Sequence, residues 1–101
     1  MKHTDLFGLL DHQAFGIMPD GRVLKFACEH GPHFSFKELQ RAIDGFVTLM
    51  PMPGITDYVM VVDEDGLPRG LADNPVASAL AQQRVVGVAV VMTKAGFRKA
   101  K

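Results

Sequence analysis

The chain has 101 residues, with 11 Lys and Arg against 11 Asp and Glu, 48% hydrophobic and 22% charged. This is enough for one folded domain; the mix excludes an intrinsically disordered chain and a globally basic nucleic-acid binder. The longest apolar run, Val85–Met92, is far short of the roughly 18–20 residues that span a bilayer. Met-Lys-His-Thr-Asp at the start lacks the apolar core of a signal peptide, and Cys28 has no second cysteine to pair with, so the expected compartment is the cytoplasm.

Residues 1–13 carry Leu6, Leu9 and Leu10 at helical spacing, with Thr4 or Asp5 as a cap and Gly8 as a weak point, which predicts a short helix or a loose arm. Ala14–Met18 is short and apolar. Pro19-Asp20-Gly21-Arg22 then has turn chemistry, and Val23–Glu29 alternates. The pair reads as a β-hairpin with Leu24, Phe26 and Cys28 toward the core. Ser35 stands three residues before Glu38, the capping-box spacing, and Phe34 with Leu39 makes a hydrophobic staple. Phe36, Leu39 and Ile43 share a face, so a helix is expected over 36–44, ended by Gly45 in a left-handed conformation.

Phe46–Met50 suits a strand that Pro51-Met52-Pro53-Gly54 terminates. Asp57–Val62 is apolar on both faces and so reads as a central strand. After the turn Asp63-Glu64-Asp65-Gly66, Asn74 caps a second helix with Pro75 at its first position, and Val76, Ala79 and Leu80 form its inner face. Arg84–Thr93, with five valines, reads as a buried strand in which Gly87 marks a bulge or a close backbone approach. Residues 94–101 read as a basic, solvated C-terminal tail. The expected fold class is α+β: one small domain over residues 14–93, in the order β-β-α-β-β-α-β, with a mixed or antiparallel sheet covered by two short helices.

The stretch from Tyr58 through Asp63-Glu64-Asp65-Gly66, Gly70-Leu71 and Asn74, closed by Val86-Gly87-Val88-Ala89-Val90-Val91, resembles the domain-of-unknown-function family numbered 3846. Upstream, Glu38-Leu39-Gln40 and Gly45-Phe46-Val47 before Met50-Pro51 are similar to the same family. The resemblance covers roughly residues 14–93. Asp63 stands where the family usually has Asn, and Ala72 where Pro is common. The resemblance implies a small protein of phages, plasmids or other mobile elements, and no general activity.

Few groups suggest chemistry. Between strand and helix, Gly66–Asn74 carries Arg69, Gly70 and the cap Asn74; a guanidinium, a backbone open to close approach and free helix N–H groups would suit an anion such as a nucleotide phosphate. The competing reading has Arg69 bracing the loop against Asp63 or Glu64. Asp63, Glu64 and Asp65 are too closely spaced to converge on a cation and read as a solvated turn. Met50, Met52 and Ile55 around the proline turn are the first choice for an exposed apolar patch, which with Asp63, Glu64 and Asp65 makes a candidate protein-binding surface. Cys28, Glu29, His30 and His33, with His3 and His12 more distant, lack structural-zinc spacing, so neither metal nor cofactor is expected. Ser35 is spent as a cap, Ser78 has no nucleophile elbow, and no catalytic residue is assigned.

The lack of a catalytic constellation and the size lead to a small non-enzymatic binding protein; the resemblance implies a phage or mobile-element protein that would bind a host protein and so inhibit a bacterial defence system. A small-ligand module using the Gly66–Asn74 loop and an enzyme with its site at an oligomer interface are the alternatives. An exposed sheet edge and zero net charge leave a homodimer open. Membrane and nucleic-acid partners are not expected.

Overall fold

The computed structural model describes residues 7–29 and 31–100. Its elements are β1 (Gln13–Ile17), β2 (Val23–Ala27), α1 (Phe36–Ile43), β3 (Val47–Met50), β4 (Tyr58–Asp63), α2 (Pro75–Ala81), β5 (Ala89–Thr93) and α3 (Lys94–Ala100). The strands form one five-stranded sheet in the order β2-β1-β5-β4-β3. Every neighbouring pair is antiparallel. The α+β class and the expected order hold, with a third helix at the end.

The hairpin forms as its turn chemistry dictates. Gly21 takes a positive φ of 95°, and the Met18 N–H donates to the Arg22 carbonyl at 2.8 Å. Gln13 pairs with Ala27 and Ile17 with Val23. Phe26 and Cys28 pack toward the interior, but Leu24 is 50% exposed. The hairpin's second strand is an edge strand, so its inward face is only partly covered.

The capping box at α1 is complete: Ser35 Oγ accepts from the Glu38 N–H at 3.1 Å, and the Ser35 N–H donates to Glu38 Oε1 at 2.9 Å. Leu39 and Ile43 are buried, while Phe36 is 36% exposed at the helix start. The helix ends one residue earlier than expected. Asp44, not Gly45, takes the left-handed conformation (φ 62°, ψ 45°), its N–H bonded to the Gln40 carbonyl. A short polar side chain tolerates that region, which leaves Gly45 free for another role.

β4 and β5 are apolar on both faces, so both faces need cover. Met60, Val62 and Val91 belong to one core cluster with Leu9, Ala77 and Ala81. Val61, Val90 and Met92 belong to the other with Phe34, Leu39 and Ile43. α1 and α2 therefore lie on opposite faces of the sheet, rather than together on one. The expected inner face of α2 is also corrected. Leu80 packs half-buried on the first cluster as expected, but Ala77 and Ala81 are the buried residues, whereas Val76 is 38% exposed and Ala79 is exposed. Small side chains let this short helix approach the sheet closely, and Val76 is left on its outer side.

β5 is shorter than the apolar run that predicts it. Val85 and Val86 are buried ahead of the strand, with Val86 bridged to Asp73. Gly87 separates them from the strand with a φ of 76°, and a Cβ there would lie 2.7 Å from Leu71 Cδ1. The expected close approach is thus a side chain laid against the backbone.

The two ends differ from expectation. The segment read as a solvated tail is α3 over Lys94–Ala100, capped by Thr93, whose Oγ1 accepts from the Gly96 N–H at 2.9 Å. Ala100 is buried and Phe97 packs on the second cluster, so two apolar residues anchor a stretch whose cations face outward. Thr93 Oγ1 also donates to Asp11 Oδ1 at 2.8 Å, and Lys99 Nζ reaches Asp11 Oδ2 at 3.3 Å. Of the expected leading helix, residues 1–6 lie outside the described residues. Phe7–Leu10 are not helical: Gly8 has a φ of 65°, and Leu9 is buried while Leu10 is 60% exposed.

Candidate functional site

The Gly66–Asn74 loop does not assemble an anion site. Arg69 Nη1 pairs with Asp63 Oδ2 and also donates to the Asp44 carbonyl at 3.0 Å. The Asp63 side chain is 1% exposed, and its Oδ1 accepts from the Asp65 N–H at 2.8 Å. This is the bracing arrangement: the guanidinium ties the loop to the β4 end and to the C-terminus of α1. Gly45 lies directly over the pair. A Cβ there would sit 2.6 Å from Asp63 Oδ2 and 2.8 Å from Arg69 Nη1, so only glycine leaves room.

Asn74 is engaged elsewhere. It is fully buried; Nδ2 donates to the carbonyls of Ile17 (2.9 Å) and Gly87 (2.8 Å), and Oδ1 accepts from the Ala77 N–H at 3.1 Å. Every polar atom of the side chain has a partner in the fold. Gly70 lies exposed on the loop with a φ of 68°. Backbone bonds from Arg69 to Asp65, Gly70 to Leu67 and Leu71 to Gly66 close the loop on itself. Arg69, Gly70 and Asn74 are therefore not brought together.

The expected protein-binding patch is formed only in part: Met50, Met52 and Ile55 line a hollow of about 340 Å³ beside Leu49 and Tyr58, apart from the acidic run. Met52 is 5% exposed and belongs to the first core cluster, with Met50 and Ile55 half-buried against it. Asp63 is inside; Glu64 and Asp65 alone of the acidic run are exposed. The prolines turn the chain so that Met52 points back into the core, while Met50 stays half-buried at the hollow's wall.

The groups considered for metal or nucleophilic chemistry are held locally. Cys28 Sγ donates to the Gly31 carbonyl at 3.2 Å, and His33 Nδ1 lies 3.0 Å from the Phe34 carbonyl. Ser78 Oγ donates to the Val85 carbonyl and accepts from its N–H. Among the described residues no three His, Cys, Asp or Glu side chains gather as metal ligands; His3 and His30 lie outside them.

A wholly apolar concave surface lies elsewhere. A groove of about 570 Å³ runs between the β1–β2 hairpin and α2, lined by Phe7, Phe15, Ile17, Val23, Pro75, Val76, Ala79, Leu80 and Val91. All of these side chains are apolar. Phe7 stands edge-on to Tyr58, ring centres 4.8 Å apart, and edge-on to Phe15 at 6.1 Å, which holds the floor rigid. Val23 and Val76 remain 49% and 38% exposed on its two walls. With no polar side chain among the described lining residues, the groove offers desolvation of apolar groups and none of these residues is an acid, base or nucleophile. The sequence held one signal for it. The apolar stripe Val76, Ala79, Leu80 is wider than a seven-residue helix on two buried alanines requires.

Comparison of the chain with family models, curated proteins and solved structures finds no match. Among the described residues no helix is long and apolar enough to cross a membrane.

Proposed function

We propose that this chain is a small non-enzymatic binding protein that engages another protein through the apolar groove between the β1–β2 hairpin and α2. The groove itself carries the reading: about 570 Å³ lined by apolar side chains alone, on a domain of 101 residues. A concave apolar surface of this kind marks a binding site. The serines, the described cysteine and the loop arginine are committed to internal bonds, which removes support from the alternatives of an enzyme and of a nucleotide-binding loop. The resemblance to the family numbered 3846 supports a phage or mobile-element origin. On that reading the partner is a host protein, a component of a bacterial defence system, met in the cytoplasm, where a lone Cys28 stays reduced.

The test is a comparison of the natural chain with Val76→Glu in affinity capture from a bacterial host. The substitution places a carboxylate on the groove wall at an already exposed position, so the melting temperature should hold. We expect one protein recovered at stoichiometric yield with the natural chain and lost with the variant. Equal recovery by both chains would refute the groove as the binding surface.

A further inference from the structure

The two edges of the sheet are not equivalent. In the β1–β2 pair, the Met18 N–H bonds to the Arg22 carbonyl and the Cys28 N–H to the His12 carbonyl. With the register Gln13–Ala27 to Ile17–Val23, the residues bonded to β1 are Arg22, Leu24, Phe26 and Cys28. The backbone N–H and C=O groups of Val23, Lys25 and Ala27 therefore point away from the sheet in an unbroken row. At the other edge, the Glu64 N–H bonds to the Phe46 carbonyl, so Val47 and Leu49 point outward. The next outward position is Pro51, which has no N–H, and Pro53 follows. The β3 edge is blunted; among the described residues the β2 edge is open.

The open edge borders the groove. Val23 belongs to both, and Lys25 stands opposite Phe15, on the groove's face of the sheet. On the other face Leu24 is 50% exposed, beside a second hollow of about 350 Å³ lined in part by Phe26 and Phe34. Lys25 is exposed and has no salt bridge among the described residues.

Resting on the groove reading above, we infer that the partner enters as an extended strand added to β2, with apolar side chains at alternate positions laid in the groove and an acidic residue opposite Lys25. The outward amides supply main-chain hydrogen bonds, the groove takes alternate side chains, and the lysine selects the opposite charge. A second copy of the chain fits less well. The symmetric antiparallel register that engages all three outward residues sets Lys25 against its own counterpart, and like charges directly opposite repel.

A phage-displayed library of random decapeptides, selected on the full chain, tests this. The strongest peptide is then synthesised and titrated into the protein. We expect selected peptides with alternating apolar residues and a central Asp or Glu. Binding should slow hydrogen exchange at the amides of Val23, Lys25 and Ala27, and leave those of Leu24 and Phe26, already bonded to β1, as they were. Lys25→Pro removes one outward N–H and no bond to β1, so it should fold and bind about tenfold more weakly, the equivalent of one hydrogen bond. Lys25→Glu, which keeps the backbone intact, should reverse the charge preference of the selected peptides. Peptides lost to Val76→Glu but bound equally by Lys25→Pro, without exchange protection on β2, would overturn strand addition and leave the groove reading standing. Peptides that protect β2 yet ignore Val76→Glu would overturn the groove reading and, with it, this inference. Failure of the library to yield any binder overturns both. Sedimentation showing a dimer that Lys25→Pro converts to monomer would assign the edge to a second copy instead.

Discussion

Asn74 and Asp63 are the two polar side chains that the described interior takes in, and they are held in opposite ways. Asn74 is neutral, wholly enclosed, and joins three parts of the chain: the end of β1, the Gly87 turn before β5 and the first turn of α2. Asp63 is charged, and its counter-ion Arg69 is 41% exposed, so that joint opens to water on one side. Enclosed polar groups without partners are costly, and the enclosed one here has a partner for each atom. The half-open one uses a charged pair because solvent still shares the work of solvating it. The difference teaches which joint holds the fold and which only trims a loop.

Substitution at Asn74 should have the largest effect. Asn74→Ala leaves the Ile17 and Gly87 carbonyls without their amide donor and removes a helix cap, a loss of about 3–4 kcal/mol. Asn74→Asp keeps the cap acceptor but turns an oxygen toward those two carbonyls, and should destabilise at least as much. Denaturant unfolding of both variants checks the order, and a milder result than for Arg69 would break the comparison.

Arg69→Ala should cost less, about 2 kcal/mol. Removing one partner of a fully buried pair costs more, but water can reach Asp63 through the space the guanidinium leaves. Thermal melts with and without phosphate or nucleotides sharpen the point. The bracing role predicts a lower melting temperature for Arg69→Ala and no ligand-dependent shift in either protein. A nucleotide-dependent shift in the natural chain that the variant lacks would restore the anion site.

Ser35→Ala removes the same kind of cap bond as Asn74→Ala, but at an exposed helix start where water replaces the lost acceptor. About 1 kcal/mol is expected by denaturant unfolding. A loss as large as that at Asn74 would show that burial is not what distinguishes the two caps.

The smallest effect is a pH-dependent one. The Thr93 hydroxyl bond holds the Asp11 carboxyl below its ordinary range, partial burial opposes this, and Lys99 assists. A carboxyl lowered in the fold adds stability above the ordinary carboxylate pKa, and that stability is lost as pH falls through the folded value. Asp11→Asn should therefore melt slightly lower than the natural chain at pH 7, with the gap closing as pH falls below the ordinary carboxylate range. A gap that persists in acid would assign the joint to the Thr93 bond geometry rather than to charge.

Much of the fold was legible because it is local. The capping box at Ser35 and Glu38, the Asp-Gly turn, the Asn74-Pro75 start and the doubly apolar strand Tyr58–Val62 each carry their cause within a few residues. The candidate sites were less legible. Arg69 was readable as either anion ligand or brace, since the choice depends on where Asp63 points and on the room over Gly45, 24 residues upstream in sequence. Met52 looked exposed because prolines surround it, yet the turn folds it under β4. Phe7 and Val23 gave no sign that they would face Val76 and Leu80 across a groove.

What the sequence determined by itself is the five strands, the first two helices with their caps and the α+β class, because backbone propensity, apolar period and side-chain-to-backbone bonds act over one or two turns; α3 and the non-helical Phe7–Leu10 were not among them. Only the tertiary structure decided that the helices cover opposite faces, that Ala77 and Ala81 are enclosed against the sheet with Leu80 packed beside them and Val76 left exposed, and that β2 is the open edge among the described residues. Those outcomes depend on how segments far apart in the chain share one limited interior, and no local pattern records which of two apolar stripes will be enclosed.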